Sequence, residues 1–128
     1  MFEVTVRSHF SAAHHLKGYA GQCAQQHGHN WSVEVTLRGT RLNATGILVD
    51  FRQIKDALKE ALGGLDHSDL NKHKAFRRVN PTSENLARFI FAALARRLDG
   101  PRCKVYRVSV SETPDNTASF MRGTGGRS

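Results

Sequence analysis

The chain has 128 residues, of which 39% are hydrophobic and 23% are charged. This composition is typical of a globular domain and excludes a fibrous or disordered chain. The 19 Lys and Arg residues outweigh 11 Asp and Glu residues, and the net charge of +8 favours anionic partners such as nucleic acid or a phosphorylated small molecule. The basic residues are dispersed and are not interleaved with aromatic side chains, so we expect no nucleic acid partner.

The length is that of one domain, which we assign to residues 1–122, followed by a flexible tail at 123–128. No window approaches the roughly 20 apolar residues of a membrane span, and the first residues lack the apolar run of a signal peptide. We therefore expect a cytoplasmic protein without a membrane partner. In that reducing compartment Cys23 and Cys103 are thiols.

Two segments in the N-terminal third alternate apolar and polar residues in the manner of strands. The first, 2–14, has its apolar residues at even positions and ends on His14. The second, 31–37, has its apolar residues at odd positions. Continued backwards, the second pattern puts His27 and His29 on the same inward face.

Two amphipathic helices and two further strands complete the chain. The first helix, 51–62, has Asp50 as its N-cap, and the second begins at a Thr82 or Ser83 cap and ends before Gly100. The order ββααββ predicts an α+β domain with a four-stranded antiparallel sheet and both helices packed on one face. In the segment KVYRVSVSET, four residues share the predicted inward face of the third strand: Tyr106, Val108, Val110 and Glu112.

The histidine pattern predicts a metal site at the end of the first two strands. In an extended strand the rings of His27 and His29 lie on one side, roughly 6 to 7 Å apart, and one tetrahedral ion can bridge that gap. If the two strands form a hairpin, His14 joins them, and three imidazoles with one vacant position are the ligand set of a catalytic zinc. A β-bulge would exchange His14 for its neighbour His15.

Cys23 admits two interpretations. It is the fourth ligand of a structural zinc in a nucleic-acid-binding module, although zinc ribbons take two ligands from each of two knuckles and here only one Cys is near. Otherwise it lies near a cationic site that lowers the pKa of its thiol and makes the thiolate available as a base or nucleophile.

Three further residues have side chains suited to acid–base work or to binding. Asp66 and His67, between the helices, are either a proton relay for Cys23 or a turn cap and a solvated imidazole. Glu112 has the inward parity at the end of a strand, where a carboxylate needs a partner such as a ligand rich in N–H groups.

Six segments in this order resemble the 6-pyruvoyl-tetrahydropterin synthase / 6-carboxytetrahydropterin synthase family. They are FSAAHHL, CAQQHGHNW, GILVDF, LDHSDLN, NPTSENLA and SVSET. The resemblance favours His14 over His15 as the first zinc ligand. The three-residue gap between Cys23 and His27 is similar to that of the bacterial, carboxy-forming branch. The ending TPDNTASFM and His15 depart from the usual pattern of that branch.

The resemblance implies a fold, an assembly and a role for each site residue. The fold is the tunnelling fold, whose sheets join in trimers, with two trimers forming a hexamer and active sites lying between subunits. The implied roles are zinc ligation by His14, His27 and His29, catalytic proton transfer by Cys23 with a relay through Asp66 and His67, anchoring of the pterin by Glu112, and contact with the pterin ring by Thr82 and Ser83.

The implied reaction converts 7,8-dihydroneopterin triphosphate to 6-carboxy-5,6,7,8-tetrahydropterin, acetaldehyde and triphosphate, a step towards queuosine-type deazapurines. The alternative is the sister reaction, which eliminates triphosphate and gives 6-pyruvoyl-tetrahydropterin without cleaving a carbon–carbon bond. The net charge of +8 suits a triphosphate substrate under either reaction.

Overall fold

The computed structural model describes residues 1–18 and 25–123 as one sheet with two long helices packed against it. The sheet order is β3-β1-β2-β4-β5, and two short 3₁₀ turns, Leu70–Lys72 and Lys74–Phe76, follow β3. No helix in the described ranges is long and apolar enough to cross a membrane. The elements are β1 (Phe2–His14), β2 (His27–Gly39), α1 (Phe51–Gly63), β3 (Ser68–Asp69), α2 (Ser83–Leu98), β4 (Cys103–Thr113) and β5 (Asn116–Met121).

The α+β class is confirmed, but the prediction of a four-stranded antiparallel sheet was wrong. The described sheet has five strands, because Ser68–Asp69 pairs in parallel with Ala12 and Ala13 at the outer edge of β1. A two-residue strand is too short to show an apolar alternation in the sequence. The backbone N–H of His67, a residue with φ of 57°, donates to the carbonyl of Ser11 at 2.5 Å and starts this pairing.

The pairing of β1 with β2 is continuous and antiparallel from Phe2↔Gly39 to His14↔His27. The predicted inward faces are confirmed along most of both strands, since Val6, Phe10 and Trp31 are buried. The register has no bulge, so His14 and not His15 lies opposite His27.

The predicted inward face of β4 was wrong at Tyr106. The register with β2 shifts between Thr36 and Leu37, which pair with Arg107 and Val105, so Tyr106 is the extra residue of a β-bulge. Val105 is consequently buried in place of Tyr106, whose ring packs under the Arg38 guanidinium, 3.5 Å from its centroid.

The helices begin where the sequence predicts. Asp50 caps α1 by accepting a hydrogen bond from the backbone N–H of Arg52 at 2.8 Å, and Thr82 caps α2 by accepting one from the N–H of Asn85 at 3.1 Å. Phe51 is 53% exposed, because it is the first residue of α1 and lies outside the buried stripe. Both helices contribute to the same core as β1, β2 and β4. Of the predicted tail at 123–128, residues 124–128 lie outside the described residues.

The packing of α1 on the sheet predicts the effect of neighbouring substitutions in that helix. Leu58→Ala removes a side chain that is 1% exposed, and we expect it to lower the free energy of unfolding by about 2–5 kcal/mol. Lys59→Ala, on the exposed side of the same turn, should change it by less than about 0.5 kcal/mol. Urea denaturation followed by circular dichroism measures both. Equal effects would contradict the helix orientation.

Candidate metal centre

Four side chains meet at the end of the β1–β2 ladder. His14 and His27 form its last pair, His29 lies two residues further along β2, and Glu112 comes from the end of β4. Their possible ligand atoms all lie within 4.8 Å of one another. The ring centroid of His27 is 4.5 Å from that of His14 and 4.7 Å from that of His29. The histidines predicted from strand parity are therefore close enough to share one ion.

Backbone carbonyls orient two of these rings. The Nδ1 atom of His14 is 2.8 Å from the carbonyl oxygen of Pro81, and the Nδ1 atom of His27 is 2.7 Å from that of Gln25. A carbonyl oxygen only accepts, so in both rings Nδ1 carries the proton and donates. The Nε2 atom of each neutral ring then has a free lone pair, which is the arrangement that metal-binding histidines show.

Two ring nitrogens of the cluster are buried without a hydrogen-bond partner among residues 1–18 and 25–123. They are the Nε2 atoms of His14 and His29. The carboxylate of Glu112 approaches both, at 3.5 Å and 3.1 Å, but not in hydrogen-bonding geometry. A buried polar atom left unpaired is destabilising, and a bound cation would give both rings a partner if each presents the lone pair of Nε2. The residues present therefore fit a metal ion.

Burial keeps these imidazoles in the form that binds metals. Removal from water lowers the pKa of His14 and of His29. In His14 this effect outweighs the opposing hydrogen bond to Pro81 and the attraction of Glu112, and in His29 it outweighs the attraction of Glu112. Trp31 forms the apolar floor, with its ring centroid 4.9 Å from that of His14 and 5.3 Å from that of His29. Neutral imidazoles are the ligating form, so the lowered pKa values favour coordination of a metal ion.

Asp66 and His67 lie on the neighbouring edge of the sheet. Asp66 Oδ1 accepts a hydrogen bond from the backbone N–H of Ser11 at 2.9 Å and lies 3.1 Å from His67 Nδ1. The hydrogen bond from the Ser11 N–H lowers the pKa of Asp66 against the opposing effect of burial, and the neighbouring His67 lowers it further. His67 is largely exposed and lines, with His29, a cleft of about 400 Å³. The carboxylate–imidazole pair therefore borders a space that also reaches one of the clustered histidines.

The other predicted site residues either lie outside the described residues or are not part of the histidine cluster. Cys23 lies outside the described residues. Thr82 and Ser83 follow Pro81, whose carbonyl holds His14, but the hydroxyl of Thr82 serves as the cap of α2. His15, the alternative first ligand, contacts Gln26 Oε1 through Nδ1 at 2.7 Å and is not in the cluster.

Sequence reasoning missed three contributors to this site. The carbonyl groups of Gln25 and Pro81 orient imidazoles, and Trp31, predicted only as a core residue, forms the floor. A backbone carbonyl has no sequence signature. Only the position of Trp31, two residues after His29 on the same face, carried a usable signal.

Comparison with known proteins finds relatives along nearly the whole chain. The family described as 6-pyruvoyl tetrahydropterin synthase matches residues 3–123. The 6-carboxy-5,6,7,8-tetrahydropterin synthase of Bacillus subtilis is 34% identical over 134 residues, covering 98% of this chain and 88% of its own. The 6-pyruvoyl tetrahydrobiopterin synthase of Drosophila melanogaster is 33% identical over 131 residues, covering 91% and 77%.

A solved structure shares the fold over nearly the whole chain. The 6-pyruvoyl tetrahydropterin synthase of Caenorhabditis elegans superimposes with a TM-score of 0.82 at 30% identity, covering 96% of this chain and 98% of its own. The match to the family spans β1 to β5 and includes all four clustered side chains. The chain therefore belongs to the 6-pyruvoyl tetrahydropterin synthase family.

Proposed function

We propose that the protein is a zinc-dependent lyase that converts 7,8-dihydroneopterin triphosphate to 6-carboxy-5,6,7,8-tetrahydropterin, acetaldehyde and triphosphate, in the route to queuosine. The convergence of three imidazoles on one point, with two buried Nε2 atoms unpaired, carries the proposal. Neutral imidazole suits several first-row metals, and a set of three with a vacant position is typical of catalytic zinc.

Support for the carboxy-forming reaction comes from the sequence. Three residues separate Cys23 from His27, as in the branch that the sequence resembles, and the Bacillus subtilis relative bears the corresponding name. The identities to the two kinds of relative, 34% and 33%, do not separate the reactions. The pyruvoyl-forming reaction is therefore the alternative to be excluded by experiment.

The proposed chemistry divides between the metal and the chain. Zinc held by His14, His27 and His29 would polarise side-chain oxygen atoms of the substrate as a Lewis acid. The Cys23 thiolate takes and returns protons at the substrate side chain. The Asp66 carboxylate orients the His67 imidazole through Nδ1, which leaves Nε2 to exchange a proton with substrate or solvent.

Glu112 is proposed as the anchor of the pterin. Its side chain is 33% exposed, so the carboxylate is accessible to the guanidine-like edge of a pterin while lying against the imidazoles. Paired N–H donors on a carboxylate give strong, directional hydrogen bonds. Thr82 and Ser83 are proposed to contact the ring, from the start of α2 beside Pro81.

We also propose that the protein is a trimer or a hexamer in which active sites lie between subunits, as the resemblance implies. Both outer strands of the sheet, β3 and β5, have one neighbour each in the described chain. An edge strand presents unpaired N–H and C=O groups that a second copy can pair with.

Sedimentation equilibrium tests the assembly. We expect a particle of three or six times the chain mass of 14.2 kDa, at micromolar concentration and moderate salt. A monomer under these conditions would contradict the proposed assembly, and with it the sharing of active-site residues between subunits.

A three-variant comparison tests the metal and the thiol separately. Cys23→Ala should keep the zinc content of the wild type and lose turnover by at least about 10²-fold, because a proton-transfer group is removed. His14→Ala should lose both, since it removes a buried ligand. His9→Ala, an exposed residue on the same strand, should lose neither. Zinc is measured by inductively coupled plasma mass spectrometry and turnover by chromatography.

The same variants test the structural-zinc, nucleic-acid-binding alternative. That alternative requires Cys23→Ala to release the metal, and it requires chelation to unfold the chain. Retention of zinc by this variant, with loss of turnover, would exclude it. Loss of zinc would exclude the catalytic role.

Product analysis distinguishes the two family reactions. Incubation of the purified protein with 7,8-dihydroneopterin triphosphate should release acetaldehyde and 6-carboxytetrahydropterin in equal amounts, because cleavage of one carbon–carbon bond yields both. Mass spectrometry of the pterin and derivatisation of the aldehyde measure them. A 6-pyruvoyl product without acetaldehyde would assign the protein to the sister reaction.

A further inference from the structure

The first metal-site histidine lies on the last pair of a sheet ladder, where a strand is least constrained. The pairing of β1 with β2 ends at His14↔His27, and its pairing with β3 ends at Ala13↔Asp69. Chain ends and ladder ends open with lower free energy than ladder interiors. A ligand in this position needs additional support if its ring is to stay in place.

Two asparagine side chains supply that support beyond the ladder. Asn71 Oδ1 accepts from the backbone N–H of His15 at 2.8 Å, and its Nδ2 donates to the His15 carbonyl at 3.0 Å. Asn80 holds Lys17 in the same way, at 2.8 Å and 2.9 Å. Each side-chain amide therefore makes the two hydrogen bonds that the backbone of a paired strand residue would make. The two amides extend the β1–β3 pairing to His15 and Lys17.

We call each pair of amide hydrogen bonds a clamp. The Asn80 clamp is connected to the ring of His14 through the next peptide group, that of Pro81. The carbonyl of Pro81 accepts the Nδ1 proton of His14, and the carbonyl of Asn80 accepts from Asn85 Nδ2 at 2.8 Å. Asn85 is also tied to Thr82 at the start of α2. The backbone after His14 and the acceptor for its ring are therefore fixed by the same short segment.

We infer that Asn71 and Asn80 are positioning residues for the metal centre. By holding His15 and Lys17, they keep the His14 ring against Pro81 and its Nε2 directed at the cluster. The inference rests on the proposed function for its effect on turnover, but its effect on metal affinity needs no substrate.

Asn→Asp substitutions test the clamps with minimal change of shape. A carboxylate keeps the acceptor but lacks the N–H donor, and places a negative oxygen against the carbonyl of His15 or Lys17. We expect Asn71→Asp and Asn80→Asp each to lower zinc affinity by roughly 10-fold to 100-fold, the usual effect of losing an outer support of a metal ligand. An added negative charge alone would raise the affinity for a cation, so a fall must come from lost positioning.

Asn43→Asp is the matched control. Asn43 Oδ1 accepts from Thr45 and from the Ile47 N–H, and these bonds need no donor from the side chain. The control adds the same charge in a turn that has no contact with the cluster, and its zinc affinity should equal that of the wild type.

Zinc affinity is measured by competition with a chromogenic chelator, at a temperature well below the unfolding midpoint of each variant. Affinity within twofold of the wild type in both clamp variants, even with a lowered unfolding midpoint, would overturn the inference and leave a structural role. Wild-type protein that binds zinc but does not turn over 7,8-dihydroneopterin triphosphate would overturn the proposed function alone. If one clamp variant fails to fold, the other decides the outcome.

Discussion

The antiparallel register between β1 and β2 is the constraint on which the site depends. It runs without a shift from Phe2↔Gly39 to His14↔His27, and side chains of paired residues project to the same face. A shift of one residue would place His15 opposite His27 and move every inward side chain of one strand to the solvent. The large apolar side chains along these strands, Phe10 and Trp31 among them, therefore select the register that brings the imidazoles together.

Burial of these histidines is unfavourable in free energy as long as their ring nitrogens have no binding partner. Trp31 and the surrounding core lower the pKa of His14 and His29, so protonation is disfavoured there. The Nε2 atom of His14, whose Nδ1 proton is donated to Pro81, is then an acceptor without a donor among the described residues. The folded chain thus contains buried, unpaired nitrogen atoms that a cation would coordinate. Binding of a metal ion would therefore stabilise this end of the β1–β2 ladder.

The sequence predicted the parts of this structure that depend on periodicity. Alternation assigned the inward faces of β1 and β2, and the caps at Asp50 and Thr82 marked both helix starts. The prediction from alternation failed at Tyr106. A β-bulge inserts one residue there, so the inward and outward positions are exchanged in the part of β4 that precedes it. The prediction also missed β3, whose two residues are held by pairing to Ala12 and Ala13 and not by any pattern of their own.

The convergence of His14, His27 and His29 could be predicted because each lies on a long, regular strand. The parts of the site that could not be predicted are backbone groups and the amides that hold them. The carbonyl of Pro81 and the clamps of Asn71 and Asn80 join segments that are more than fifty residues apart in the chain. Such contacts depend on the tertiary arrangement, and an isolated Asn in a loop is equally typical of a turn.

The position of Glu112 fits its proposed role between a bound cation and the pterin. Three neutral imidazoles leave the charge of a divalent cation uncompensated, and one nearby carboxylate would reduce the local charge to +1. The carboxylate lies 3.1 Å from His29 Nε2, yet one-third of its side chain is exposed. This exposure leaves the carboxylate accessible to N–H donors of a ligand, as the proposed role of pterin anchor requires. The geometry is therefore compatible with the proposed double role, in which Glu112 faces the cluster and the pterin, and the remaining positive charge of a bound cation would attract substrate oxygen.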